Sequence, residues 1–219
     1  MKQQDLIPAE PGRIGTDESG KGDYFGPLVV AGFYLPPDQE GVLRELGVRD
    51  SKAISDNRCR EIAETLQRGY PHAVVAIGPE RYNELYEKLR NLNRLLAWGH
   101  ARAIENIMEK MDCRRAVTDK FGDERYVRNA LLARGKTVTL TQMVRGESDP
   151  AVAAASILAR AEFLKKLYFL GRDWGMEFPK GASSAVEAAA AEFVRRHGRE
   201  SLAKVAKVHF RTTGKALGS

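Results

Sequence analysis

Two adjacent carboxylates, Asp17 and Glu18, stand in the stretch GTDESGKGDYFG (15–26), just ahead of a lysine, Lys21, set between Gly20 and Gly22. Acids beside a Gly-Lys-Gly segment suggest phosphate chemistry of one of two kinds. Gly15, Gly20 and Lys21 fit the start of a phosphate-cradling loop, G-x-x-x-x-G-K-[ST], but the Ser or Thr that such a loop offers to Mg2+ is Gly22 here. The acids would also stand where bare backbone N–H groups should face the phosphates. Like charges about 4 Å apart at an effective dielectric near 20 repel by about 4 kcal/mol, so a cation must lie between. The second kind of chemistry supplies it. Mg2+ takes carboxylate oxygens together with substrate phosphates and water. Two such ions about 3.5 to 4 Å apart stabilise both the attacking and the leaving oxygen of a phosphodiester. Neighbouring residues on a regular strand point to opposite faces. Asp17 and Glu18 are therefore expected to share a site through a kink, which Ser19-Gly20-Lys21-Gly22 permits. The plain alternative is a charged pair in a solvated turn.

A site of this kind needs acids from several parts of the chain, so the elements between them matter. RIGTDE opens the ordered structure, and the apolar run 26–35, ended by Pro36-Pro37, reads as a buried strand. VLRELGV is a short amphipathic turn or helix. Residues 55–69 read as a helix capped by Ser55 or Asp56. Residues 72–78 form a strand, and 79–111 form two helices with a break near Asn91 to Asn93. Strands at 115–121 and 136–144 follow, then a helix at 151–171 whose small residues require close packing. A last helix is expected in SSAVEAAAAEFVRRHG, with Ser184 and Glu187 as a capping box and Gly198 as its end. Strands interleaved with helices predict a layered α/β domain. Residues 1–12, with Pro8, Pro11 and Gly12, read as a tail or linker stub, and 13–219 as one domain.

The totals agree with this reading. A chain of 219 residues, 43% hydrophobic, can bury a real core and is not disordered. A net charge of +6 favours a polyanionic partner. Cys59 and Cys113 form no metal-binding pattern and are expected as reduced, half-buried thiols of a cytoplasmic protein. The first residues hold no apolar signal segment. Ala151–Ala161 contains Ser156 and Arg160 and is too short to span a bilayer, so no membrane association is expected.

As a whole motif, GTDESGKGDYFGPLVVAG resembles the opening of the type 2 ribonucleases H, and its GKG form resembles ribonuclease HIII rather than HII, which typically carries GRG. RDSKAIS (49–55), NLNRLLAWGHARAIE, AVTDKFG, VRGESDPAVAAASILAR, FPKGASS and AKVHFRTT are similar to further motifs of that family in the same order. The likeness runs from about Arg13 to Thr213. It implies an RNase H-like fold, a mixed central sheet flanked by α-helices with additional C-terminal helices. It also implies hydrolysis of the RNA strand of RNA–DNA hybrids with Mg2+ or Mn2+, two ions per site.

Carried onto this chain, the family's acids fall on Asp17, Glu18, Asp119 and Glu147. Asp149 competes with Glu147, but Asp149 precedes Pro150 and suits a helix cap. Asp17 would bridge the two cations and the other three acids would complete their shells. An acidified water would attack, and 5′-phosphate and 3′-hydroxyl ends would result. Gly20, Lys21 and Gly22 would hold the hybrid near the scissile phosphate, with Ser156 and Lys180 as further contacts; the plain alternatives are a packed helix serine and a solvated loop lysine. Glu162 is assigned to structure or to the outer shell of the site, and His100 and His209 receive no chemistry.

The resemblance has two departures. Ribonuclease HIII usually carries a substrate-binding domain ahead of its core, and only about twelve residues precede the core here. The tyrosine that reads the RNA–DNA junction in ribonuclease HII is missing from PKGASS. Cleavage is therefore expected within RNA tracts rather than at a single embedded ribonucleotide. The alternatives are an HII-like enzyme acting on single ribonucleotides and a non-catalytic nucleic-acid binder. No obligate protein partner is expected.

Overall fold

Strand β2 (Leu28–Leu35) is buried along almost its whole length because it is covered on both sides. Val29, Ala31, Phe33 and Leu35 join one core cluster, while Leu28 joins another. A continuous apolar run is what a doubly covered strand requires. The computed structural model describes residues 12–218, so the expected tail lies, except for Gly12, outside the described residues. Five strands form one mixed sheet in the order β3-β2-β1-β4-β5, with β1 at Arg13–Ser19, β3 at His72–Ile77, β4 at Arg115–Asp119 and β5 at Thr139–Met143. β1 runs antiparallel to β2 and parallel to β4; β2–β3 is antiparallel and β4–β5 parallel.

Helix α6 (Pro150–Trp174) lies across one face with α2 (Asp56–Gly69) beside it, and α1 (Glu40–Glu45) is a short turn before them. Small residues let α6 approach closely. A Cβ on Gly15 of β1 would stand 2.1 Å from the Ala151 carbonyl carbon. That contact makes Gly15 a packing residue and removes it from any phosphate loop. Helix α4 (Leu92–Met108) covers the other face, where Gly99 meets Val30, and α3 (Pro79–Leu89) and α5 (Glu124–Ala130) flank it. The C-terminal helices are α7 (Ser184–His197) and α8 (Arg211–Ala216).

Several sequence expectations need correction. The β2 strand starts at Leu28, because Gly26 takes φ +80° and Pro27 has no N–H for a sheet ladder. Residues Gly135–Thr137 form a 3-10 turn, so β5 begins only at Thr139. The capping box does not form: Ser183 is the cap residue, without a side-chain bond, and Glu187 pairs with Lys215 at 2.5 Å. Both thiols are fully buried rather than half-buried, at 0% and 4% exposure. Among the described residues, no helix is long and apolar enough to cross a membrane.

Candidate active site

The C-terminal ends of the parallel strands β1 and β4 open onto a cleft of about 610 Å3. Sheets with parallel strands bind ligands at this end. Asp17, Glu18, Asp119 and Glu147 all line the cleft, with Gly20, Lys21 and Gly22 at one rim and Ser51, Lys52 and Arg160 at another. The expected kink at Asp17-Glu18 is absent. β1 stays paired through Ser19, opposite Val29. The two acids point to opposite faces, Asp17 toward Ser156 of α6 and Glu18 toward His100 of α4. Both reach the cleft because the strand ends there, and Gly20 (φ +86°) turns the chain away. A Cβ at Gly20 would stand 2.2 Å from the Pro27 carbonyl oxygen.

Each acid is held by its own local device. Asp17 Oδ1 accepts the Glu18 backbone N–H at 2.8 Å. Glu18 Oε1 accepts from Lys21 Nζ at 3.1 Å and Glu18 Oε2 from His100 Nε2 at 3.2 Å. His100 is completely buried, stacks on Phe121 at 4.7 Å, and its Nδ1 meets Thr16 Oγ1 at 2.7 Å. An ionised carboxylate only accepts, so Nε2 of His100 carries the proton. Asp119 is the last residue of β4, and its Oδ1 accepts the Gly146 N–H at 2.9 Å. A Cβ at Gly146 would come within 2.8 Å of the Asp119 Cα, so this turn needs glycine. Arg145 (φ +58°) and the 3-10 turn Gly146–Ser148 then bring Glu147 to the cleft.

Asp149 has other partners: its side chain caps α6 through Ala151 N and Val152 N and pairs with Arg13 at 2.8 Å. Ser156 is buried, bonds Ser51 Oγ at 2.8 Å and supports Asp17. It lines the cleft, with its hydroxyl engaged by protein groups. Lys180 is not brought to the cleft; its Nζ donates to Asp56 Oδ2 at 2.7 Å. Glu162 pairs with Lys165 and Lys166 on the outer side of α6.

The sequence reading missed His100, Gly146 and Arg160. Arg160 donates to the carbonyls of Ser51 and Ile54 and to Asp56, and so clamps the segment carrying Lys52. Its position one turn after Ser156, on the same helix face, was the available signal. It also missed Lys207, fully buried, which donates to the carbonyls of Asp23 and Gly26 at 2.7 and 2.8 Å. Together with the Gly181 N–H on Asp23 Oδ1 (2.6 Å), this fastens the loop after Gly20 to the C-terminal segment.

The electrostatics are those of a site short of positive charge. Burial, then the charges of Glu18 and Asp119, push the Asp17 carboxyl up to about 7, against hydrogen bonds from Ser156 and the Glu18 backbone. Burial also opposes the charge on Glu18, but the His100 hydrogen bond and the charges of His100 and Lys21 outweigh it and hold Glu18 down to about 2. The donor set is all oxygen, which suits hard divalent cations. Among the described residues no three His, Cys, Asp or Glu side chains are gathered as a ready metal cage. An open carboxylate cleft fits Mg2+ or Mn2+ better than a cage, because Mg2+ keeps several waters and uses few protein ligands.

Comparison with known proteins agrees with the geometry. The family model described as Ribonuclease HII matches residues 14–213. Ribonuclease HIII of Protochlamydia amoebophila (strain UWE25) is 45% identical over 214 residues, covering 98% of this chain and 70% of the relative. Ribonuclease HIII of Chlamydia pneumoniae is 41% identical over 215 residues, with 96% and 70% covered. The crystal structure of Bst-RNase HIII in complex with Mn2+ superposes with a TM-score of 0.88 at 33% identity, covering 96% of this chain and 70% of that one. The chain thus spans about 70% of the length of these relatives, and it belongs to the type 2 ribonuclease H family, that of ribonucleases HII and HIII.

Proposed function

We propose that this chain is an endonuclease that hydrolyses the RNA strand of RNA–DNA hybrids with divalent cations, Mg2+ or Mn2+, held two to a site by Asp17, Glu18, Asp119 and Glu147. The observation that carries the reading is the convergence of these four acids, from three separate segments, on one cleft edged by Gly20-Lys21-Gly22. The bound cations would supply an acidified water and charge neutralisation at the leaving 3′ oxygen. The residues do the rest. His100 and Lys21 keep Glu18 ionised and fixed. Gly146 orients Asp119. Gly20 makes the turn, and the bare backbone of Gly22, with open space where a Cβ would stand, lets a strand approach; the 2′-hydroxyl distinguishes RNA from DNA there. Lys21 is placed to contact phosphate once a cation takes over the charge of Glu18. The products carry 5′-phosphate and 3′-hydroxyl ends, and tracts of RNA are cut in preference to a single embedded ribonucleotide. We place the reaction in the cytoplasm, where the two free buried thiols stay reduced.

A hybrid-cleavage assay with Mg2+, Mn2+ or chelator, on the parent and on Asp119→Asn, tests this. The parent is expected to cut with either cation and stop with chelator, and the variant to lose at least 100-fold in rate. Equal cleavage by the variant defeats the assigned site. A one-ribonucleotide duplex run beside a tract hybrid tests the preference, and equal rates on both defeat it.

A further inference from the structure

Helix α4 carries a line of residues that the cleft does not use, with Arg94 and Trp98 exposed and Arg102 half-buried. Arg94, Trp98 and Arg102 are spaced four apart and so share a face, about 12 Å from end to end. The opposite face, with Leu96, His100, Ala103 and Ile107, is buried. Trp98 is 40% exposed.

The charge along this face is uncompensated. Arg58, Arg81 and Arg128 on other helices each pair with a glutamate three or four residues away. Among the described residues, neither Arg94 nor Arg102 has an acidic partner. Residues 91–104 contain no Asp or Glu. The next acid, Glu105, is buried and spends one oxygen on the backbone N–H groups of Leu132 and Gly135, at 2.6 and 2.9 Å. Unpaired guanidinium groups around an open indole match a partner that carries regular negative charge and flat or apolar sugar and base surfaces.

The stripe starts near the loop that follows β4: Asn93, next to Arg94, packs against Gly122, three residues past Asp119.

We propose that Arg94, Trp98 and Arg102 form a second nucleic-acid contact, which grips the backbone of the substrate duplex outside the cleft. This rests on the reading of the chain as a hybrid-cutting enzyme and adds to it where the duplex lies.

Trp98 reports on its own surface. The chain has two tryptophans, and Trp174 packs against Phe193 and His197. In a Trp174→Phe background, titration with an RNA–DNA hybrid in chelator should change Trp98 emission to saturation. Arg94→Gln with Arg102→Gln should weaken hybrid binding about tenfold at 0.1 M salt. It should also flatten the plot of log affinity against log salt by about 2, since each phosphate contact contributes about 0.9. The parent's melting temperature in the double variant shows that the loss is not misfolding.

An unchanged affinity and salt slope overturns the proposal. So does self-association of the parent that the double variant abolishes while hybrid binding stays, because a second copy then covers the stripe. The two readings fail separately. Hybrid binding with no cleavage in any cation defeats the enzyme reading alone. Normal cleavage with an unaltered salt slope defeats the stripe alone.

Discussion

Asp17 is placed where burial and two neighbouring carboxylates all oppose its charge. Its carboxyl, raised to about 7, still holds a proton in the cation-free fold at pH values where the unfolded chain, near 3.9, has released it. Between those values the folded state binds more protons, so stability falls as pH rises. Glu18 has the opposite sign: held down to about 2, it contributes stability that is full above about 4.3 and is lost as pH falls toward 2. Asp17→Asn is therefore expected to stabilise the cation-free protein at pH 8 by about 1–3 kcal/mol, and to remove this residue's contribution to the slope between about pH 4 and 7. Urea midpoints across that range, with chelator present, check both. A lower midpoint for the variant at pH 8 contradicts the charge argument.

His100 makes a second prediction at this scale. His100→Ala leaves Thr16 Oγ1 and one Glu18 oxygen without their partner, which costs about 1–3 kcal/mol. Cleavage should fall as well, because Glu18 is no longer fixed. His100→Gln, which can restore one hydrogen bond, should recover part of both losses. Identical melting and cleavage for the parent and His100→Ala would remove His100 from the site. The acids were legible in the sequence because their types announce their chemistry. His100 was not, because its partner lies 82 residues away on a strand whose facing is set only by packing.

At the scale of elements, the docking of α6 on β1 decides whether the cleft exists. Gly15 faces the first turn of that helix, and a methyl group there would stand 2.1 Å from backbone, which cannot swing aside as a side-chain tip can. Gly15→Ala should destabilise by about 3 kcal/mol or more, read as a lower urea midpoint, and should lower cation-dependent cleavage in the fraction that still folds. A change under about 0.5 kcal/mol would mean that α6 can lift without harm. The small-residue helix and its close packing were readable from AVAAASILAR. The sheet order was not, because the order β3-β2-β1-β4-β5 is set by which faces meet rather than by any local pattern. Helix α5 also escaped the reading; it has only seven residues and buries Val127 alone, too little periodicity to stand out. Lys180 was expected on the substrate, but Asp56, 124 residues earlier, holds it. Its neighbour Gly181 is the residue that reaches the cleft loop.

The whole molecule must close before the acids can act together, since they come from β1, β4 and the turn before α6. The C-terminal segment completes the closure. Phe25 bridges Ala206, Lys207 N donates to the Tyr24 carbonyl at 2.9 Å, and the buried Lys207 side-chain nitrogen donates to the carbonyls of Asp23 and Gly26. Burial lowers Lys207 to about 7, only partly countered by Asp23. The unfolded chain, with its lysine near 10.4, then binds the extra proton between those values, so stability rises with pH across that window. Lys207→Met keeps the stem but leaves two carbonyls without their donor, a loss of about 1–3 kcal/mol. Melting curves from pH 7 to 10 should therefore show a lower midpoint for the variant and no rise from this residue. Because the same side-chain nitrogen fastens the loop that presents Gly20-Lys21-Gly22, the variant should also need more hybrid to reach half-maximal rate, by about threefold to tenfold, with less change in the maximal rate. An unaltered half-saturation point in a variant that melts lower would show that the clasp serves the fold alone and leaves the cleft loop to hold itself.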